Sequence, residues 1–117
     1  MDTDELVKWI RYLMETNKMY IFYHSKYWKN LKEEILRADH YECQRCKEEG
    51  RLTLLNDGSP VHHVNEVKKA PHLALSKYYY DKNGIKQRQL ISLCFDCHNI
   101  IHDRFNKSNK FMNEERW

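Results

Sequence analysis

The sequence predicts an α+β domain, and three observations predict it. Apolar residues recur at helical spacing near the N-terminus. Short strand-like runs follow, each bounded by turn residues. Two C-x-x-C pairs, Cys43/Cys46 and Cys94/Cys97, bracket those runs. A chain of 117 residues has the size of one domain, with a modest core that benefits from an added constraint. With 41% hydrophobic and 32% charged residues the composition is that of a folded chain rather than a disordered one. No run of about 18 apolar residues exists, so no transmembrane span is expected.

Each element has its own reason. Leu6, Trp9, Ile10, Leu13 and Met14 lie on one helical face, and Asp2 with Glu5 reads as a capping box, so residues 2–16 are expected to form a helix, either a cap on the core or an element that docks a partner. Ser25 is the N-cap of a second helix to about Ala38, with Trp28, Leu31, Ile35 and Ala38 buried. Residues 51–55 are a short strand, Asn56-Asp57-Gly58-Ser59-Pro60 a turn, and Val61-His62-His63-Val64 the returning strand. Pro71 to Ser76 reads as a short helix and Asp81-Lys82-Asn83-Gly84 as another turn. Gln89 to Leu93 is an apolar lead into the second cysteine pair, and 95–105 is helical.

The two cysteine pairs carry the first chemical expectation. A two-residue gap lets both thiolates of a turn reach one ion at about 2.3 Å, and two such turns complete a tetrahedron. Cys43, Cys46, Cys94 and Cys97 are therefore expected to hold a structural Zn²⁺, which would add its binding free energy to the stability of a small core. The acidic start Met1-Asp2-Thr3-Asp4-Glu5 is unlike a secretory signal, so a reducing cytoplasm is expected, where disulfides are disfavoured.

Histidines supply the second. His98 and His102 are at i and i+4, so a helix projects both imidazoles from one face, and the zinc would fix that helix beside His62-His63. A regular strand turns adjacent residues to opposite faces, so both of the latter pair can serve one site only if the strand ends or bulges there. The net charge of +3 is mild, but residues 62–102 carry six lysines and arginines against three acids. That distribution favours an anionic partner, with Lys68, Lys69, Lys82, Lys86, Arg88 and Arg104 as expected phosphate contacts. Tyr78-Tyr79-Tyr80 is expected to pack over the hairpin rather than stack on bases.

The order C-x-x-C, His-His-Val, then Leu-Cys-x-x-Cys-His-x-x-x-His resembles the HNH endonucleases of ββα-metal architecture. It is most similar to the small zinc-stapled kind in bacteriophage genomes near the DNA-packaging genes. Residues 22–29 and 35–39 are similar to the helical lead-in of such proteins, and the likeness runs from about residue 22 to 104. The resemblance implies an HNH nuclease fold with N-terminal helices and a structural four-cysteine zinc site. It implies His62 as first metal ligand, His63 as general base, His98 as the helical ligand and His102 as an additional one. The family's central Asn, which bonds backbone groups across the loop, falls on Gln89, whose amide is one methylene further out; Asn83 is the alternative.

The expected organisation is a helical extension over 1–24, a nuclease domain over 25–105 and a polar tail over 106–117. The expected activity is divalent-metal-dependent nicking of double-stranded DNA, with Mg²⁺, Mn²⁺ or Ni²⁺ as the working ion. The resemblance further implies action with the phage terminase large subunit and portal in an infected bacterium. The rivals are a non-catalytic zinc-ribbon module that binds DNA or protein, and a cysteine redox protein.

Overall fold

The computed structural model describes residues 1–108, with side chains as far as Ile101. Helix α1 (Thr3–Glu15) begins where the Asp2 carboxylate accepts from the Glu5 N–H at 2.9 Å, and it buries Leu6, Ile10 and Leu13. A short α2 (Met19–Tyr23) buries Met19 and Phe22. Helix α3 (Lys26–Ala38) starts at the Ser25 cap, whose hydroxyl accepts from Trp28 N–H at 3.3 Å, and it buries Trp28, Ile35 and Leu36. These apolar stripes share one core with Val61, Val67, Ala74 and Leu90. The N-terminal helices are thus packed into the same core as the strands.

An aromatic column crosses that core. Trp9 meets Phe22 at 5.8 Å, Phe22 meets Trp28 at 5.8 Å, and Trp28 stacks on His63 at 4.7 Å with the rings 22° apart. The lead-in helices therefore set the position of one of the sequence-picked histidines.

After α3 the chain reverses through His40 and Tyr41, both in the left-handed region (φ 56 and 53), and enters the first knuckle with α4 (Gln44–Glu48). Residues 51–55 do not form a hairpin with 61–64, contrary to the sequence expectation. They lie against the knuckle instead: Cys43 N–H donates to Thr53 O and Leu55 N–H to Tyr41 O. The backbone groups of 41–43 need partners beside the thiol cluster, and this segment supplies them.

Strand β1 (Val61–His63) pairs with a strand far along the chain. Between them lie a 3-10 turn at Pro71–Leu73 and an inserted hairpin of β2 (Tyr78–Tyr80) and β3 (Lys86–Arg88). Strand β4 (Leu90–Ser92) then runs antiparallel to β1, with Val61 opposite Ser92, His62 opposite Ile91 and His63 opposite Leu90. Helix α5 (Phe95–Ser108) closes the ββα unit. The remainder of the expected tail lies outside the described residues.

One buried carboxylate ties α3 to β4. Asp39, 7% exposed, pairs through both oxygens with the Arg88 guanidinium at 2.9 Å and accepts from Ser92 N–H at 3.2 Å. Arg88 also donates to Leu90 O. Removing one member strands the others in low dielectric, so Asp39→Ala is expected to cost about 3 kcal/mol in urea unfolding. A loss below about 0.5 kcal/mol, the usual size of a surface change, would contradict this.

Candidate active site and metal positions

The four cysteines converge. Their sulfurs lie within 4.8 Å of one another, with Cys46–Cys97 at 3.6 Å and Cys46–Cys94 at 3.9 Å. Four sulfurs at about 2.3 Å from a tetrahedral centre stand about 3.8 Å apart, so the cluster has the dimensions of one metal ion. Cys46 N–H points at Cys43 Sγ and Cys97 N–H at Cys94 Sγ, each at 3.5 Å. Each knuckle thereby places a backbone dipole on a cysteine sulfur. Burial pushes the Cys97 thiol up to about 12 and raises Cys94. Burial also acts on Cys43, but hydrogen bonds from the Cys46 and Cys94 backbone outweigh it and bring that thiol down to about 7. Leu93 shares the buried patch with Cys43, Cys46 and Cys97, and Leu55, Ile91 and Ile101 pack against it.

Fixing Cys94 and Cys97 fixes the start of α5, and His98 follows at once. Its ring lies 5.9 Å from that of His62, with planes 76° apart. Both residues are half-buried. Rings at this separation are close enough to share an ion through imidazole bonds of about 2.1 Å. The side chain of His102 lies outside the described residues, as does that of Arg104.

His63 is not brought together with His62 and His98. Strand β1 is paired in regular register with no bulge, so alternation turns His63 to the face opposite His62. There it is 2% exposed, stacked on Trp28, 6.4 Å from the Tyr23 ring, with Nε2 3.0 Å from Ala74 O. That contact makes Nε2 the protonated nitrogen and leaves the lone pair on Nδ1, which has no hydrogen-bond partner among the described residues. Burial lowers the His63 pKa to about 4, against a smaller opposing pull from the Ala74 carbonyl.

A stability consequence follows from this depressed value. The unfolded imidazole binds a proton near pH 6.5, whereas the folded one resists until about pH 4. The contribution is complete above pH 6.5 and is lost as pH falls toward 4, a difference of about 3 kcal/mol. Wild type should therefore lose more unfolding free energy between pH 7 and pH 4.5 than His63→Phe, which keeps the stacked ring. Equal losses in the two proteins would contradict it.

Gln89 is fully buried, and its amide brackets the loop after His63. Oε1 accepts from Asn65 N–H at 3.1 Å and from Asn65 Nδ2 at 2.9 Å, while Nε2 donates to Asn65 O at 2.9 Å. This is bonding across the loop of the kind the resemblance assigns to the family's Asn. Asn83 lies instead at the exposed β2–β3 turn.

The expected phosphate contacts separate. Arg88 is committed to Asp39 and Leu90 O, and Lys68 lies 3.9 Å from Glu66. Lys82 and Lys86 are exposed on the inserted hairpin, and Lys69 is exposed on the 64–76 loop. Sequence reading missed Asp39, Asn65 and Trp28 as positioning groups; only the aromatic density of 20–28 gave a signal for the last.

No protein-family model matches the sequence, and no curated protein sequence does either. A solved structure does match: the crystal structure of the HNH endonuclease of deep-sea thermophilic bacteriophage GVE2, with manganese ion, is 26% identical. The alignment covers 80% of this chain and 87% of that one, with a TM-score of 0.59. The chain has the HNH endonuclease fold. In HNH terms β1, β4 and α5 are the ββα unit, and the four-thiol cluster lies at the start of α5. Among the described residues no helix is long and apolar enough to cross a membrane.

Proposed function

We propose that the protein is a divalent-metal-dependent DNA endonuclease that nicks one strand at a time, with a structural zinc in the four-thiol cluster. The observation that carries the reading is the pairing of His62 and His98 beside that cluster in an HNH fold; the structure of similar fold is that of a phage HNH endonuclease with manganese ion.

In this reading His62 and His98, with His102, hold the catalytic Mg²⁺, Mn²⁺ or Ni²⁺. A divalent ion there supplies Lewis-acid stabilisation of the phosphate oxygens and the leaving oxygen. Gln89 keeps the loop after β1 closed through Asn65. His63 is the proposed base on one condition, that the end of β1 opens and turns its ring off Trp28 toward the metal side; Nδ1, which has no hydrogen-bond partner among the described residues, then takes the proton from water. Lys82, Lys86 and Lys69 contact phosphates, joined by Arg104; Lys68 contributes if its bond to Glu66 exchanges for one to DNA. Arg88 holds the scaffold instead.

The burial of His63 favours a second reading of that one residue, as a packed core histidine. Chemical rescue separates the two. Imidazole added to His63→Ala restores nicking if the ring is the base, and restores nothing if the variant has only lost packing.

The test of the whole proposal is nicking of supercoiled plasmid by purified protein with added Mn²⁺ or Mg²⁺. Conversion to open circles is expected; its absence with every ion would leave the non-catalytic zinc-ribbon module. Zinc retained at about one equivalent after gel filtration, with no free-thiol reaction, removes the redox reading. Action with a phage terminase large subunit and portal in an infected bacterium belongs to the proposal too, supported by the sequence resemblance and by the phage origin of the structural neighbour.

A further inference from the structure

Neither metal position uses the hairpin inserted between the two strands of the ββα unit. Two of its three tyrosines do not pack over the hairpin as the sequence suggested: Tyr78 is 48% and Tyr80 70% exposed, with Tyr79 half-buried between them. Directly opposed residues of an antiparallel pair share a face. Tyr78 faces Arg88, whose guanidinium is held by Asp39, and Tyr80 faces Lys86, so one side of the ribbon presents two tyrosine rings with the Lys86 cation beside them. Lys86 Nζ lies 4.2 Å from the Tyr78 ring centroid.

The ribbon is rigid at both ends. At its tip the Asp81 carboxylate accepts from Asn83 N–H, Ile85 N–H and Gln87 Nε2 at 2.9, 3.0 and 3.1 Å. That acid is turned into the turn, leaving Lys82 and Lys86 as the outward charges. At its base Gln89 N–H donates to Lys77 O at 2.8 Å, and the Gln89 side chain grips the loop that follows His63. The ribbon is therefore joined directly to the proposed active site.

Spacing indicates the ligand. Two residues on one face of a strand stand about 6.7 Å apart. This is about twice the 3.4 Å rise of a stacked DNA strand, so neighbouring rings fit bases that have been pulled apart. Aromatic side chains on a strand beside cations are the general means of holding unpaired bases. We propose that the Tyr78/Tyr80/Lys86 face is a stacking platform for two unpaired bases of a DNA strand, directing the protein to locally single-stranded DNA. The choice of DNA rests on the nuclease reading of the site. An arriving base takes the place of the Lys86 ammonium over the Tyr78 ring, and the ammonium moves to the adjoining phosphate.

The test is fluorescence anisotropy of one labelled oligonucleotide, as single strand and as duplex, with the full chain and no added divalent ion. The Tyr78→Ala/Tyr80→Ala variant should bind the single strand about tenfold or more weakly, with less than about twofold change on the duplex. The Tyr78→Phe/Tyr80→Phe variant, which keeps both rings, should bind like wild type. Zinc content and a circular dichroism melt verify that each variant is folded. Equal losses on both DNAs, no loss, or a wild-type preference for duplex would overturn the platform. Plasmid nicking is read separately. Nicking by wild type without selective loss in the alanine variant sinks the platform alone, and selective loss without nicking sinks the nuclease reading alone.

Discussion

Cys97→Ser is expected to abolish cooperative folding. Cys97 is 2% exposed, 3.6 Å from Cys46 Sγ, and the apolar patch around the cluster is small. Burial without an ion holds Cys97 and Cys94 as neutral thiols; a bound dication reverses this and turns the same burial into tight coordination. Structural zinc contributes on the order of 10 kcal/mol, comparable to the whole stability of a domain this size. Losing one of four ligands therefore removes most of what keeps β4, α4 and the start of α5 together. Bound zinc should fall from about one equivalent to none, and the sigmoidal melt should disappear. A variant that melts within a few degrees of wild type would show that the apolar contacts suffice.

The second large effect is on activity alone. His98→Ala and His62→Ala should each lower Mn²⁺-dependent nicking by about 100-fold or more, because a lost ligand forfeits several kcal/mol of charge stabilisation in the transition state. Both rings are half-buried, so zinc content and melting should change little. Manganese binding followed by electron spin resonance should weaken in parallel. Retention of nicking in either variant would show that the two imidazoles are neighbours without a shared ion.

The features most legible in the sequence are those decided within a few residues. Asp2 and Ser25 cap their helices as their types require, and the cysteine spacing describes a knuckle whose geometry is set locally. Helix α2, five residues long, was invisible because it is too short to show a period. The pairing of β1 with β4 was misread because the partner lies beyond an insertion, and only backbone demand at the knuckle diverts 51–55. At the candidate site, the closeness of His62 and His98 follows from spacing once the thiols converge. The burial of His63 does not: alternation says it faces away from His62, but nothing in one sequence says that Trp28 waits there. Asp39 likewise reads as an ordinary polar residue after a helix until Arg88 arrives from far along the chain.

The inserted ribbon divides the donors of both centres between two stretches of chain. Cys43, Cys46 and His62 precede the Asp81–Gly84 turn; Cys94, Cys97, His98 and His102 follow it. A polypeptide cut at that exposed tip would yield two pieces, neither holding enough ligands to complete either centre. If the cluster holds zinc as proposed, their recombination would require the metal, and a chelator would keep the two pieces apart.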